Sequence, residues 1–390
     1  MVQKGSEGFA AAIVCCLAIG GAAAAQLWKE ATPGYAFAFP RDHASHPAYQ
    51  IEWWYYTGNV SAQDGRRFGY QVTFFRVGVD AAPTNPSRWA IRDLFMTHLA
   101  VSDPKGGRYR YSEKLTRGGP GLAGAEVDRY HVWNEDWTAS LDDQGRHLLQ
   151  ARPSTRAGPR EPQAAARSGQ GGDGVGIDLV LDPGKPPAIN GINGISQKGA
   201  QAGNASHYYS MTRMPTRGAI TVDGQRFEVS GLTWMDHEFG TSFLEPGQRG
   251  WDWLSIQLAD GRDLMLYQLR RSDGSRDPRS SGTVIGADGR TTHLAAGDFS
   301  LTPGRRAFRA ANGAVYPIEW AIAIPSHQID LHVTTPLDNQ ELDLGQSTGV
   351  AYWEGAVDVA GRSAGRDVDG RGYLEMTGYK NSLGRVLSQK

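Results

Sequence analysis

The sequence predicts an all-β protein built from short antiparallel strands in two domains, with few short helices. Gly is abundant, at 50 of 390 residues, alongside 11 Trp, 15 Tyr and 12 Phe. That composition suits strands and tight turns better than long helices. Short aromatic and β-branched runs recur, each bounded by Gly, Asp, Asn or Pro, which is the signature of strands. No long segment keeps a 3.6-residue period, so sustained helices are not expected. At roughly 100–200 residues per domain, the length gives about two.

Taken in chain order, residues 1–25 read as a cleaved Sec-type signal peptide. Lys4 supplies a positive start, an uncharged Ala/Ile/Val/Leu-rich stretch follows, and Ala23-Ala24-Ala25 offers small residues for cleavage. Both cysteines, Cys15 and Cys16, lie inside it. The mature chain is therefore expected to work without a disulfide or a Cys nucleophile in a periplasmic or secreted setting. Strands are predicted at Ile51–Thr57, Phe68–Val77, Phe95–Val101, His207–Arg213, Trp251–Leu258 and Leu264–Arg270. Asp-Gly pairs at 64–65, 223–224, 260–261, 273–274 and 288–289 read as hairpin turns. Residues 151–176, 183–205 and 271–290 read as loops, being rich in Gly, Pro, Ser, Asn or Arg. Met214-Pro215-Thr216-Arg217-Gly218 interrupts two strand-like runs. It sets the expected domains at 26–215 and 216–390. The runs Asp64-Gly65-Arg66-Arg67-Phe68 and Asp223-Gly224-Gln225-Arg226-Phe227 echo one another, as two similar β domains or chance would make them.

Charge excludes several partners. Forty Lys and Arg against 41 Asp and Glu give a net charge of −1, so nothing marks a nucleic-acid surface, and membrane contact is at most transient. There is no H-E-x-x-H and no Walker loop. No cofactor and no metal are expected, since no ligand spacing signals one.

Chemistry concentrates in Trp234-Met235-Asp236-His237-Glu238-Phe239-Gly240. Three ionisable groups sit between aromatics that lower the local polarity, which raises carboxyl pKa values into the range of a proton donor. His237 is a natural relay. On a strand, Trp234, Asp236 and Glu238 would share one face, with Met235, His237 and Phe239 on the other. A buried, hydrogen-bonded turn pinning two domains together would look the same. Trp251 and Trp253 on the next predicted strand, with Tyr267 on its hairpin partner, suggest an aromatic-lined pocket, as do Tyr208 and Tyr209. Each of these aromatics taken singly also reads as core. Glu52 and Trp54, in Glu52-Trp53-Trp54-Tyr55-Tyr56, and His98, inside an apolar run, complete the candidate lining.

The runs EWWYYTGNV, GRRFGYQVTFFR and MTHLAVSD, then HYYSMTRMPTRGAITVDGQRFEVSGLTWMDHEFG, WDWLSIQLADGRDLMLYQLR, YWEGAVDV and RGYLEMTGYKN, resemble the carotenoid 1,2-hydratase and AttH-like family. The resemblance extends over roughly residues 45 to 382 and is nearest the secreted branch often labelled as hydrolases. It implies two consecutive lipocalin-like antiparallel β-barrel or sandwich domains. It also implies acid/base hydration or isomerisation of a hydrophobic small molecule such as a polyene, terpenoid or lipid. Asp236, His237, Glu238 and Tyr267 would then be catalytic, and Trp234, Phe239, Trp251, Trp253, Tyr208, Tyr209, Glu52, Trp54 and His98 would bind substrate. Carotenoid hydratases are expected to carry an acidic residue two positions after the matched Tyr, where Leu269 stands here.

Two functional readings follow. One is an exported hydro-lyase. The other is a non-enzymatic periplasmic lipid- or lipopeptide-binding protein working beside an ABC-type exporter, as lipocalin-like folds and AttH proteins imply.

Overall fold

A computed structural model describes residues 28–153, 174–241, 244–344 and 350–381. The expected signal peptide, and most of the expected loop at 151–176, lie outside the described residues. The described chain is all-β apart from two single 3-10 turns, Arg41–His43 and Pro325–His327. The strands form two large antiparallel sheets of 13 and 10 strands and a small two-stranded one.

In the larger sheet, Ile51–Ala62 lies between Arg67–Gly78 and the long strand Gln225–Gly240, which in turn pairs with Ala205–Val222. The sheet curls around one core. Residues from near both of its ends, Leu99 and Val132, meet in the same apolar cluster as Trp54, Tyr56 and Tyr209. Asn134 closes the curl by donating through Nδ2 to the Phe95 carbonyl at 3.3 Å and to Thr97 Oγ1 at 3.1 Å. The smaller sheet, running from Gln248–Leu258 to Arg366–Met376, has its own core around Leu254, Trp320 and Leu374. Between the two sheets lies a third cluster containing Tyr55, Tyr208, Trp234, Trp253, Tyr267 and Tyr373. The two large antiparallel sheets, each with its own core, agree with the all-β fold that the resemblance implies.

The predicted strands are all present and each is longer than the run that announced it. His207–Arg213, for example, sits inside the 18-residue strand Ala205–Val222. Residue 215 does not separate the sheets. Pro215 lies in mid-strand opposite Leu232, and the chain leaves the larger sheet only between Gly240 and Gln248. A register irregularity lies just before it, between Met211 and Met214, and Pro215 itself continues the strand in register, because Pro removes an N–H without stopping an extended chain. The expected loops at 183–205 and 271–290 carry short strands at Ala188–Ile189, Ile195–Gln197 and Ser281–Ile285.

The Asp-Gly turns all form, with Gly at positive φ in each. Only Asp223-Gly224 has positive φ at both residues, the type I′ requirement. The echoing runs belong to the same sheet. Phe68 and Phe227 sit 5.0 Å apart, and the Arg66 guanidinium lies over both rings. Local packing explains that echo, and a domain repeat does not.

Candidate functional site

Strand Gln225–Gly240 is shared by two environments, and its alternation divides the acid-His-acid motif between them. The even-numbered residues Trp234, Asp236 and Glu238 face the space between the sheets. The odd-numbered residues Met235, His237 and Phe239 face the interior of the larger one. Direct cross-strand partners share a face. Tyr55 and Ser210, opposite Asp236, thus belong to the inter-sheet side, while Trp54 and Tyr209, opposite His237, belong to the interior.

On the inter-sheet side Asp236 is 2 % exposed. Its Oδ1 accepts from Ser210 Oγ at 2.5 Å and Trp234 Nε1 at 2.6 Å, and its Oδ2 from Tyr208 Oη at 2.6 Å. Tyr208 Oη in turn accepts from Trp253 Nε1 at 3.2 Å. Burial pushes the Asp236 carboxyl up to about 7, against the pull of these three donors. Glu238 is hydrogen-bonded by Ser206 Oγ and paired with Lys198 Nζ at 3.3 Å. Burial alone would lower the Lys198 pKa, but Glu238 outweighs it and holds the ammonium above its usual value. Lys198 also lies 4.4 Å over the Tyr267 ring, a cation–π contact. Tyr267 Oη meets Ser196 Oγ at 3.0 Å. Trp251 packs at the edge of this cluster.

Sequence reasoning missed two carboxyls here. Glu354 and Glu375 are direct cross-strand partners. Burial pushes Glu375 up to about 7, and burial together with the neighbouring Glu375 pushes Glu354 well above the carboxylate range. Tyr55, Tyr373 and Glu354 are buried side by side, and the Tyr55 and Tyr352 hydroxyls act on the Glu354 carboxyl as hydrogen-bond donors. The run YWEGAVDV contained Glu354, but an isolated Glu in a strand gives no spacing signal. His98 lies beside this region, with Nδ1 2.7 Å from Tyr352 Oη.

On the interior side, Glu52 is wholly buried. Its Oε1 is 3.0 Å from His237 Nε2 and 2.9 Å from His46 Nδ1, while Oε2 accepts from Arg76 Nε at 3.1 Å and Ser45 Oγ at 2.8 Å. Burial raises the Glu52 pKa, but His237, His46 and Arg76 outweigh it and hold the carboxyl well below its usual range. Burial lowers the His237 pKa, and Glu52 offsets only part of that. His237 stacks on Trp54 at 4.9 Å, and Phe239 lies 3.6 Å from the His46 ring, parallel to it. Tyr209 Oη bridges His237 Nδ1 at 3.0 Å and His43 Nδ1 at 2.7 Å. His46, Glu52 and His237 offer ligand atoms within 4.8 Å of one another. Arg76, Asp42, His43 and His46 were not singled out in the sequence, because their partners stand far away along the chain.

Asp236, Glu238, Tyr208, Tyr267, Trp234, Trp251 and Trp253 therefore come together between the sheets. His237, Phe239, Tyr209, Glu52 and Trp54 gather separately inside the larger one.

The AttH-like family model matches residues 30–379. A crystal structure described as AttH from Nitrosomonas europaea superposes with a TM-score of 0.76 at 32 % identity, covering 90 % of this chain and 99 % of that one. Kievitone hydratase from Nectria haematococca has the same fold, with a TM-score of 0.64 at 16 % identity over 91 % of this chain and 96 % of its own. Dehydratase asqC of Emericella nidulans is 24 % identical over 211 residues, 52 % of this chain and 58 % of that protein. The chain thus spans little more than half the length of that curated relative. By the extent of the family match and its likeness to the Nitrosomonas structure, the chain belongs to the AttH-like family.

Proposed function

We propose that the protein is a hydro-lyase that adds water to, or removes it from, a hydrophobic small molecule held between the two sheets. One observation carries this reading. Asp236 is a buried carboxyl poised near pH 7, and its Oδ2 is hydrogen-bonded to the hydroxyl of Tyr208 among Trp234, Trp253 and Tyr267. A hydratase and a dehydratase among the similar proteins are in keeping with it.

In the hydration direction, the Tyr208 hydroxyl gives its proton to one alkene carbon and Asp236 replaces it, so Asp236 ends as carboxylate. The indole faces stabilise the cation formed at the other carbon. Water attacks that carbon and returns a proton to the Tyr208–Asp236 pair. Dehydration runs the same steps backwards. A polyene, terpenoid or lipid fits the apolar walls, and export to the periplasm by the N-terminal segment belongs to the same proposal.

The test is mass spectrometry of apolar compounds extracted from wild type and Asp236→Asn, each purified from its own host. A compound retained by the variant, and found in wild type also as its form plus or minus one water, supports the reading. The same unaltered compound in both would make the protein a ligand carrier, such as a lipid-binding partner of an ABC-type exporter.

A further inference from the structure

The cluster inside the larger sheet has a hydrogen-bonding problem that hydrogen bonds between its neutral forms do not solve. His237 Nδ1 lies 3.0 Å from the Asp42 carbonyl oxygen, which can only accept, and Tyr209 Oη, also 3.0 Å away, gives its proton to that same carbonyl, so Nδ1 carries the proton. The lone pair of Nε2 then faces Glu52 Oε1 at 3.0 Å. Tyr35 Oη donates to Asp42 Oδ1 at 2.9 Å, so His46 Nε2, 3.2 Å from Tyr35 Oη, must donate to it. In neutral His46 the lone pair of Nδ1 therefore also faces Glu52 Oε1, at 2.9 Å, whereas a second proton, opposed by burial but favoured by Asp42 and Glu52, would let Nδ1 donate to it. With both imidazoles neutral, two nitrogen lone pairs thus converge on Oε1, which also accepts from the His46 backbone N–H at 2.9 Å. Arg76 does not answer this, because its Nε binds the other oxygen, Oε2, and its remaining nitrogens are engaged by Asp93, the His46 carbonyl and the Tyr49 carbonyl.

We propose that His46 Nδ1, Glu52 Oε1 and His237 Nε2 bind a divalent transition-metal ion of the zinc type. The donor set is two imidazoles and one carboxylate, which zinc accepts at about 2.0–2.2 Å in a roughly tetrahedral array. Ligand atoms around such an ion stand about 3.3 Å apart by that geometry, a few tenths of an ångström beyond the 2.9 and 3.0 Å from the two nitrogens to Glu52 Oε1. The outer contacts also fit. Metal-bound imidazoles usually donate their other N–H to a carbonyl or a hydrogen-bonded acid, which fixes the tautomer. His237 does so to the Asp42 carbonyl, and His46 to the Tyr35–Asp42 pair. Trp54 and Phe239 clamp the two rings in plane. Ser45 and Arg76 both touch Glu52 and also line a surface groove of about 480 Å³, so a path from solvent ends beside the carboxylate. Three protein ligands leave a fourth position for water or a ligand oxygen. The site lies on the opposite face of the strand from Asp236, so it stands independently of the hydro-lyase reading.

The experiment strips the full chain with a chelator, reloads it with Zn²⁺ or Co²⁺, removes excess by gel filtration and measures metal per protein. Wild type should retain about one equivalent and, with Co²⁺, show visible d–d absorption. His237→Ala should lose both signals. As His237 is fully buried and its loss could unfold the chain, His46→Ala on the partly exposed ring serves as the second variant. It should keep the wild-type near-UV circular dichroism while its metal retention falls at least tenfold. Wild type retaining no metal after reloading, or His46→Ala retaining as much as wild type, would overturn the assignment. The first result would mean that extra protons on the two imidazoles hold the cluster together.

Discussion

At the residue scale, the two faces of one strand hold groups with opposite demands. Asp236 is desolvated and raised, so Asp236→Asn should reduce turnover by about 10²–10⁴-fold, the usual worth of a positioned proton donor, with near-UV circular dichroism unchanged. Tyr208→Phe should fall in the same range. Since the protonated acid is the active form, kcat/KM should decline as pH rises through about 7, and that limb should vanish in Asp236→Asn. A raised carboxyl also sets the sign of the stability effect. Between the ordinary Asp value of 3.8 and about 7, the native state keeps a proton that the unfolded chain has released. Its contribution to stability falls as pH climbs across that window. Glu52 behaves the other way. Its folded pKa is depressed, so its stabilisation is present above the ordinary value of 4.5 and disappears as pH falls through the folded value. Glu52→Ala removes one of the two carboxylates paired with buried Arg76, the other being Asp93, and should cost about 1–3 kcal/mol, measured by urea unfolding.

At the element scale, Gln225–Gly240 does the sorting. Its period of two sends each neighbour in the motif to a different chamber, which is why three adjacent ionisable residues do not form one triad. The alternation is legible in the sequence, and so are the strands, the Asp-Gly turns and the aromatic inter-sheet face. What the sequence does not show is that both faces of this strand are buried. A motif with polar residues on each face reads equally as a site or as a buried, hydrogen-bonded turn that pins two domains. The same limit hid Arg76, His46, Glu354 and Glu375, since their partners are set by sheet register rather than by spacing. Register also gives a prediction. Gly58 sits against the Tyr70 ring, where an added Cβ would stand 2.2 Å from Cε1, and Tyr70 Oη is hydrogen-bonded to Thr233 on the site strand. Gly58→Ala should cost about 1–3 kcal/mol of stability by forcing that ring aside, read as a lower thermal midpoint.

At the scale of the whole molecule, the proposed site exists only while the sheets stay docked. Asn59 Nδ2 donates to the Gly372 carbonyl at 3.0 Å, Tyr109 Oη to the Glu354 carbonyl at 2.8 Å, and Gln257 Nε2 to the Thr212 carbonyl at 2.7 Å. At Gly69 the sheets pack closely, since a Cβ there would lie 2.5 Å from the Ala356 Cβ. Gly69→Val should wedge the sheets apart, lowering turnover more than it lowers the stability of either sheet. Hydrogen exchange should localise the loosening to Asp93–Asp103 and Val350–Ser363, strands that meet through His98 and Tyr352. The expected break at 215 failed for a reason at this scale. A Pro in mid-strand is a local irregularity, whereas the passage between sheets is a property of the whole topology.

The most direct measurement is oxygen exchange. The compound co-purifying with the protein is incubated with wild type or Asp236→Asn in ¹⁸O-labelled water and then weighed by mass spectrometry. Reversible addition and loss of water at the inter-sheet site predicts ¹⁸O incorporation by wild type and almost none by the variant. A compound returned by wild type unlabelled and unchanged would contradict the account and leave Asp236 as a buried structural carboxyl.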